Sequence, residues 1–132
     1  MMTEQELVQK AMEMRQFSYT PYSKFAVGAA LLCEDGSVFT GCNVENAAYG
    51  STICAERTTL VKAVSEGRQS GFVALAIAGQ GDGYCWPCGS CRQMLCEFAP
   101  DLKILAANEK GDYEKATLQE LLPHFFGPHS LS

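Results

Sequence analysis

The chain has 132 residues, 47% of them hydrophobic and 19% charged, with a formal net charge of −5. That size suits one domain, and the balance excludes a disordered chain and a coiled coil. No apolar run approaches the ~18 residues that span a bilayer, and the acidic total without a Lys/Arg cluster points away from nucleic acid and toward a small neutral partner.

The start, Met1-Met2-Thr3-Glu4-Gln5-Glu6, has neither the basic nor the apolar stretch of a signal peptide, so a cytoplasmic location is expected. Leu7, Ala11 and Met14 recur at helical spacing and predict an amphipathic helix over residues 3–16. Thr20-Pro21-Tyr22-Ser23 then breaks the chain. Phe25 to Leu32 and Ser37 to Asn43, on either side of Glu34-Asp35-Gly36, read as a hairpin. Asn46 to Gly50 reads as a loop, with Ser51 or Thr52 as N-cap of a helix from about residue 53 to 66. Val73 to Ala78 is a buried strand, and Gly79 to Trp86 a glycine-rich loop. Pro87 suits the first turn of a helix that runs to about Phe98. Lys103 to Ala107 is a further strand, Tyr113 to Ala116 a short fifth one, and Thr117-Leu118-Gln119-Glu120 a capping box for a last short helix. This order predicts one α/β domain over residues 1–132: a three-layer α/β/α sandwich around a mixed five-stranded sheet.

The chemistry concentrates in Cys54-Ala55-Glu56 and Pro87-Cys88-Gly89-Ser90-Cys91. Cys54, Cys88 and Cys91 offer three thiolates to one ion, and three protein ligands leave zinc a position for water, the pattern of a catalytic site. Glu56, two residues from the first thiolate, supplies a group that can move protons. All three cysteines fall at predicted helix N-termini, where the dipole favours thiolates. Arg57, on the face of Cys54, is placed to hydrogen-bond a sulfur and tune the metal. One Zn2+ per chain is the expected cofactor.

Other readings of these residues exist. Seven cysteines, an odd number without a secretory signal, argue for metal or redox chemistry over disulfides. Cys85, Cys88, Cys91 and Cys96 approximate an iron–sulfur run, but with four spacers before the last cysteine and no following proline. A redox pair at Cys88 and Cys91 lacks its usual place after a first strand. Cys33, Cys42 and Cys96 read as buried small hydrophobes, while Cys85 stands close enough in sequence to compete as a ligand. Gly79-Gln80-Gly81-Asp82-Gly83 matches no nucleotide motif. Glu56 by itself could merely complement a helix dipole.

Five segments in order resemble the cytidine deaminase family, in its short homotetrameric class. They are Pro21 to Leu31, Gly41 to Tyr49, Cys54-Ala55-Glu56-Arg57, Pro87 to Gln93, and Leu121-Leu122-Pro123 with Phe125-Phe126. The resemblance implies a deaminase fold and zinc-dependent hydrolysis of cytidine and deoxycytidine to uridine and deoxyuridine, with release of ammonia, in pyrimidine salvage. It implies Cys54, Cys88 and Cys91 as zinc ligands and Glu56 as the catalytic proton carrier. Asn43 and Glu45 would bind the ribose hydroxyl, Phe25 would pack on the base, and Ala55 would also touch substrate. Phe126 would reach a neighbouring subunit's pocket, with Tyr49 near the same boundary. A homotetramer with shared pockets, a nucleoside partner, and neither nucleic acid nor membrane are the matching expectations. Cys85-Trp86 departs from the small or hydroxyl residues common before Pro87 in relatives.

Overall fold

Thr3 opens the first helix by accepting a hydrogen bond from Glu6 N, while the Glu6 carboxylate accepts one from Thr3 N at 2.8 Å. This reciprocal capping satisfies two of the free N–H groups at a helix start. In the computed structural model, which describes residues 1–131, this helix (α1) spans Glu4–Met14 and buries Leu7, Val8 and Ala11. A 3-10 turn, Arg15–Phe17, completes the stretch that periodicity joins into one helix.

The hairpin follows as β1 (Gly28–Cys33) and β2 (Val38–Cys42), antiparallel, with Gly28 opposite Cys42 and Leu32 opposite Val38. β1 starts later than its sequence suggests for a specific reason. Val27 N donates to the Asn43 side-chain oxygen, and the Asn43 amide donates to Phe25 O, which takes residues 25–27 out of the ladder. The remaining elements are α2 (Ala55–Ser65), β3 (Phe72–Ala78), α3 (Gly89–Phe98), β4 (Lys103–Ala107), β5 (Tyr113–Thr117), α4 (Leu118–Leu121) and α5 (Pro128–Leu131). The last of these has no counterpart in the sequence reading.

The five strands form one sheet in the order β2-β1-β3-β4-β5. Only β3 and β4 pair in parallel, joined through α3. Every residue of β1 is buried, as a strand covered on both faces requires. One face packs Ala30, Leu32, Ala76 and Leu105 against α1. The other packs Leu31, Leu75, Ile77 and Ile104 against Leu60 of α2 and Leu95 of α3. Each such aliphatic side chain contributes about 1.5–3 kcal/mol by leaving water. The sandwich is therefore three layers deep.

α1 lies so close to the start of β1 that Gly28 has no room for a side chain. A Cβ there would overlap the Ala11 carbonyl oxygen and stand 3.0 Å from Arg15 N. Gly28→Ala should destabilise the chain by about 1–3 kcal/mol, the usual scale of overpacking, measured by urea unfolding. Wild-type stability in that variant would contradict the close helix–sheet packing.

Candidate active site

Cys54 is the N-cap of α2 and Cys88 the N-cap of α3, each in extended backbone. The Ser51 or Thr52 cap expected from sequence is not realised. Ser51 lies in a 3-10 turn, Tyr49–Ser51, and the Thr52 hydroxyl accepts from Asn46 N instead. Pro87 likewise stands before the cap and outside α3. Neither thiol makes a capping bond to its own helix, so the free N–H groups of both first turns add positive potential around the sulfurs.

Cys91, in the first turn of α3, completes the cluster: the three sulfurs lie within 4.8 Å of one another. A tetrahedral zinc with bonds of about 2.3 Å sets its sulfurs about 3.8 Å apart, so the donors fit one such ion. Among the described residues no other set of three Cys, His, Asp or Glu donors converges this way. A hydrogen bond from Cys91, then contact with Arg57, lowers the Cys54 thiol to about 5. Cys91 moves in the opposite direction because it is the donor to Cys54 and is buried. The pair thus shares a proton that a bound cation would release. Arg57 donates to Thr52 O at 3.0 Å and points the same nitrogen at Cys54 Sγ, 3.8 Å away. Its Nε is buried without a partner among the described residues.

Glu56, in the first turn of α2, is only 5% exposed. Burial raises its carboxyl to about 7, with the Cys54 charge adding to the shift and a hydrogen bond from the Cys91 thiol opposing it. Glu56, Cys54 and Cys88 line a cavity of about 160 Å³ whose wall includes Cys85 and Trp86. The position of Cys85 resolves the competing readings. Its sulfur stands outside the cluster, and burial holds its thiol near 12. Cys96 is buried in the core beneath α3. An iron–sulfur run is therefore not assembled.

A family model described as the cytidine and deoxycytidylate deaminase zinc-binding region matches residues 1–107. The chain belongs to this family. It is 47% identical over 129 residues to the cytidine deaminase of Sporosarcina psychrophila, covering 97% of this chain and 94% of that protein. Against the cytidine deaminase of Halalkalibacterium halodurans it is 49% identical over 126 residues, with 95% of each covered. The crystal structure of cytidine deaminase from Burkholderia pseudomallei matches with a TM-score of 0.91 and 45% identity, over 95% of this chain and 100% of that one. The deaminase fold expected from sequence is thereby established. The chain has the family's zinc-binding region, and its sulfur cluster can hold the ion.

The family resemblance also marks residues away from the metal. Ala55 and Asn43 line the same cavity as Glu56. Asn43 gives one N–H and one lone pair to residues 25–27, which leaves one of each for a ligand. Glu45 sits in an adjoining cleft of about 290 Å³ with Tyr22, Ser23, Tyr49 and Thr52. Thr52 lines both spaces. Phe25, 43% exposed, stands near Gly79 and Cys85: a Cβ added to Gly79 would be 3.1 Å from its ring tip and 2.9 Å from Cys85 Sγ. Phe125 packs on the core and meets His129 edge-on, with ring centres 5.3 Å apart. Phe126 points outward, 61% exposed, and lines neither cavity. Tyr49, by contrast, lines the Glu45 cleft while largely exposed, in edge contact with Tyr22.

Sequence reading missed the brace on Glu45. Its carboxylate accepts from Tyr22 N and Ser23 N, both at 3.0 Å, and from the Ser23 hydroxyl. No spacing rule links residues 22–23 to 45; only the fold brings them together. These bonds, the Ser23 hydroxyl first, hold the Glu45 carboxyl below its ordinary 4.5. A lowered carboxyl keeps its contacts above that value and loses them as pH falls through the folded pKa. Carbon-13 NMR should find Glu45 titrating below 4.5 and moving up in Ser23→Ala. An ordinary titration in the wild type would contradict the brace.

Proposed function

We propose that this chain, acting as one catalytic domain over residues 1–132, hydrolyses cytidine and deoxycytidine to uridine and deoxyuridine with release of ammonia. The observation that carries the reading is a three-thiol cluster, two of whose members, Cys54 and Cys88, line one cavity with the buried Glu56. Cys54, Cys88 and Cys91 would hold zinc, which leaves a fourth position for water and lowers that water's pKa from 15.7 toward about 7. Glu56 accepts the proton that the attacking water gives up and delivers it to the ring nitrogen beside C4. The water oxygen bonds to C4, which becomes tetrahedral. Glu56 then carries the oxygen's second proton to the amine, the C4–N bond breaks, and the C4 carbonyl forms. Proton transfer of this kind accelerates the reaction roughly 10²–10⁴-fold.

Asn43 and Glu45 are assigned to the ribose hydroxyls, with Phe25 and Ala55 beside the base. None of the residues lining either cavity is Lys or Arg. An ionised Glu45 at the mouth would repel a phosphate, which favours a nucleoside over a nucleotide. Arg57 is assigned to the metal: three thiolates overcompensate one zinc, and Arg57 with two helix ends, each roughly +0.5 of a charge, offsets the excess. Pyrimidine salvage in the cytoplasm is the proposed setting. Seven free cysteines suit a reducing compartment, and no described helix is long and apolar enough to cross a membrane.

Assembly is proposed as a homotetramer whose pockets are completed by a neighbour's Phe126, with Tyr49 at the boundary. Exposed Tyr19, Tyr22, Val44, Tyr49 and Ile53, and separately Phe126, are large apolar side chains that support it. Sedimentation at assay dilution should find tetramers wherever activity persists; an active monomer would refute the shared pocket.

Metal content paired with an absorbance assay on cytidine and deoxycytidine separates this reading from a zinc module that acts only by protein contact. Glu56→Ala should keep its zinc and lose turnover by about 10²–10⁴-fold, and normal turnover would overturn the assignment. Arg57→Ala should retain zinc but turn over more slowly, and an unchanged rate would remove Arg57 from the account.

A further inference from the structure

Asn108, 5% exposed at the C-terminal end of β4, is a buried polar side chain that the chemistry does not use. Its oxygen accepts from Lys110 N at 3.0 Å and Asp112 N at 3.1 Å, which shapes the turn into β5. Its amide nitrogen serves a different segment, donating to Asp82 O at 3.2 Å. Asp82 belongs to the Gly79–Trp86 loop, whose neck is closed on one acceptor. Gly79 N and Cys85 N both donate to Ala107 O at 3.3 Å. Glu109 adds a second clasp on the tip: its N–H donates to Gly81 O at 3.1 Å, and its carboxylate accepts from Gly81 N at 3.0 Å.

This loop leads directly into the site. Cys85 and Trp86 form part of the cavity wall, and Cys88 follows after one proline. Gln80 in the same loop accepts from Ala26 N at 3.2 Å, beside the Phe25 assigned to the base. The β4–β5 turn thus holds a loop that forms the Cys85–Trp86 wall of the pocket and contacts Ala26, with Asn108 as the buried link.

We propose that Asn108 is a positioning residue for the deamination site: its amide donor fixes the Gly79–Trp86 loop, and through it the wall that seats the pyrimidine. This rests on the function proposed above. Asn108→Asp keeps both turn acceptors and turns the donor toward Asp82 O into a repelling oxygen, at the cost of a buried carboxyl. Trp86 is the chain's single tryptophan, so its fluorescence reports the wall directly.

The test uses the zinc-loaded full chain. Asn108→Asp should keep its zinc, melt somewhat lower, and show red-shifted Trp86 emission and greater quenching by acrylamide. KM for cytidine should rise about three- to tenfold, the scale of one lost hydrogen bond, with kcat nearly unchanged. Unmoved emission and quenching would overturn the proposal. So would unmoved KM, or a kcat that merely falls in step with zinc content. Should Asn108→Asp fail to fold, Asn108→Ser decides, since its hydroxyl can still accept from the turn but is too short to reach Asp82 O. A shift in emission with a raised KM supports the proposal, and wild-type values overturn it. A wild-type chain that releases no ammonia from cytidine would sink the proposed function separately, while the Trp86 signal still tests the loop.

Discussion

Two helices whose N-cap residues, Cys54 and Cys88, line one cavity are the constraint on which the site depends. An N-cap normally supplies an oxygen to its own first turn. Cys54 and Cys88 supply none, so both helix starts keep their positive ends turned toward the sulfurs. Three thiolates in so small a volume repel one another. The helix ends and the Arg57 contact offset that repulsion, and a divalent cation would offset it further. The sheet fixes the geometry: α2 and α3 pack on the same face, over Leu31, Leu75 and Ile77.

The same arrangement accounts for Glu56. One residue past Ala55, it lies in the first turn of α2, inside the cavity and away from water. A carboxyl in that environment resists ionisation, which suits the proton-carrying role proposed for it. A surface glutamate at the same helix start would remain charged and serve only the dipole.

Local chemistry made much of the fold legible. The capping box at Thr117, the strand over 73–78 and the strand over 103–107 depend on neighbours in sequence and are realised. The helix start at Cys54 was misread as Ser51 or Thr52 because cap preference assumes an oxygen acceptor. The late start of β1 depends on the Asn43 amide, a tertiary contact that no period encodes. In the site, the spacing of Cys54, Glu56, Cys88 and Cys91 named the residues that converge. The exclusion of Cys85, the brace of Tyr22 and Ser23 on Glu45, and the link from Asn108 to Asp82 arise only when distant segments meet.

The account is tested most directly by X-ray absorption at the zinc edge of the purified chain. It expects one zinc ion per chain bound to three sulfurs at about 2.3 Å and one oxygen or nitrogen at about 2.0 Å. A shell of four sulfurs would show a closed structural site with no place for water, and would contradict it.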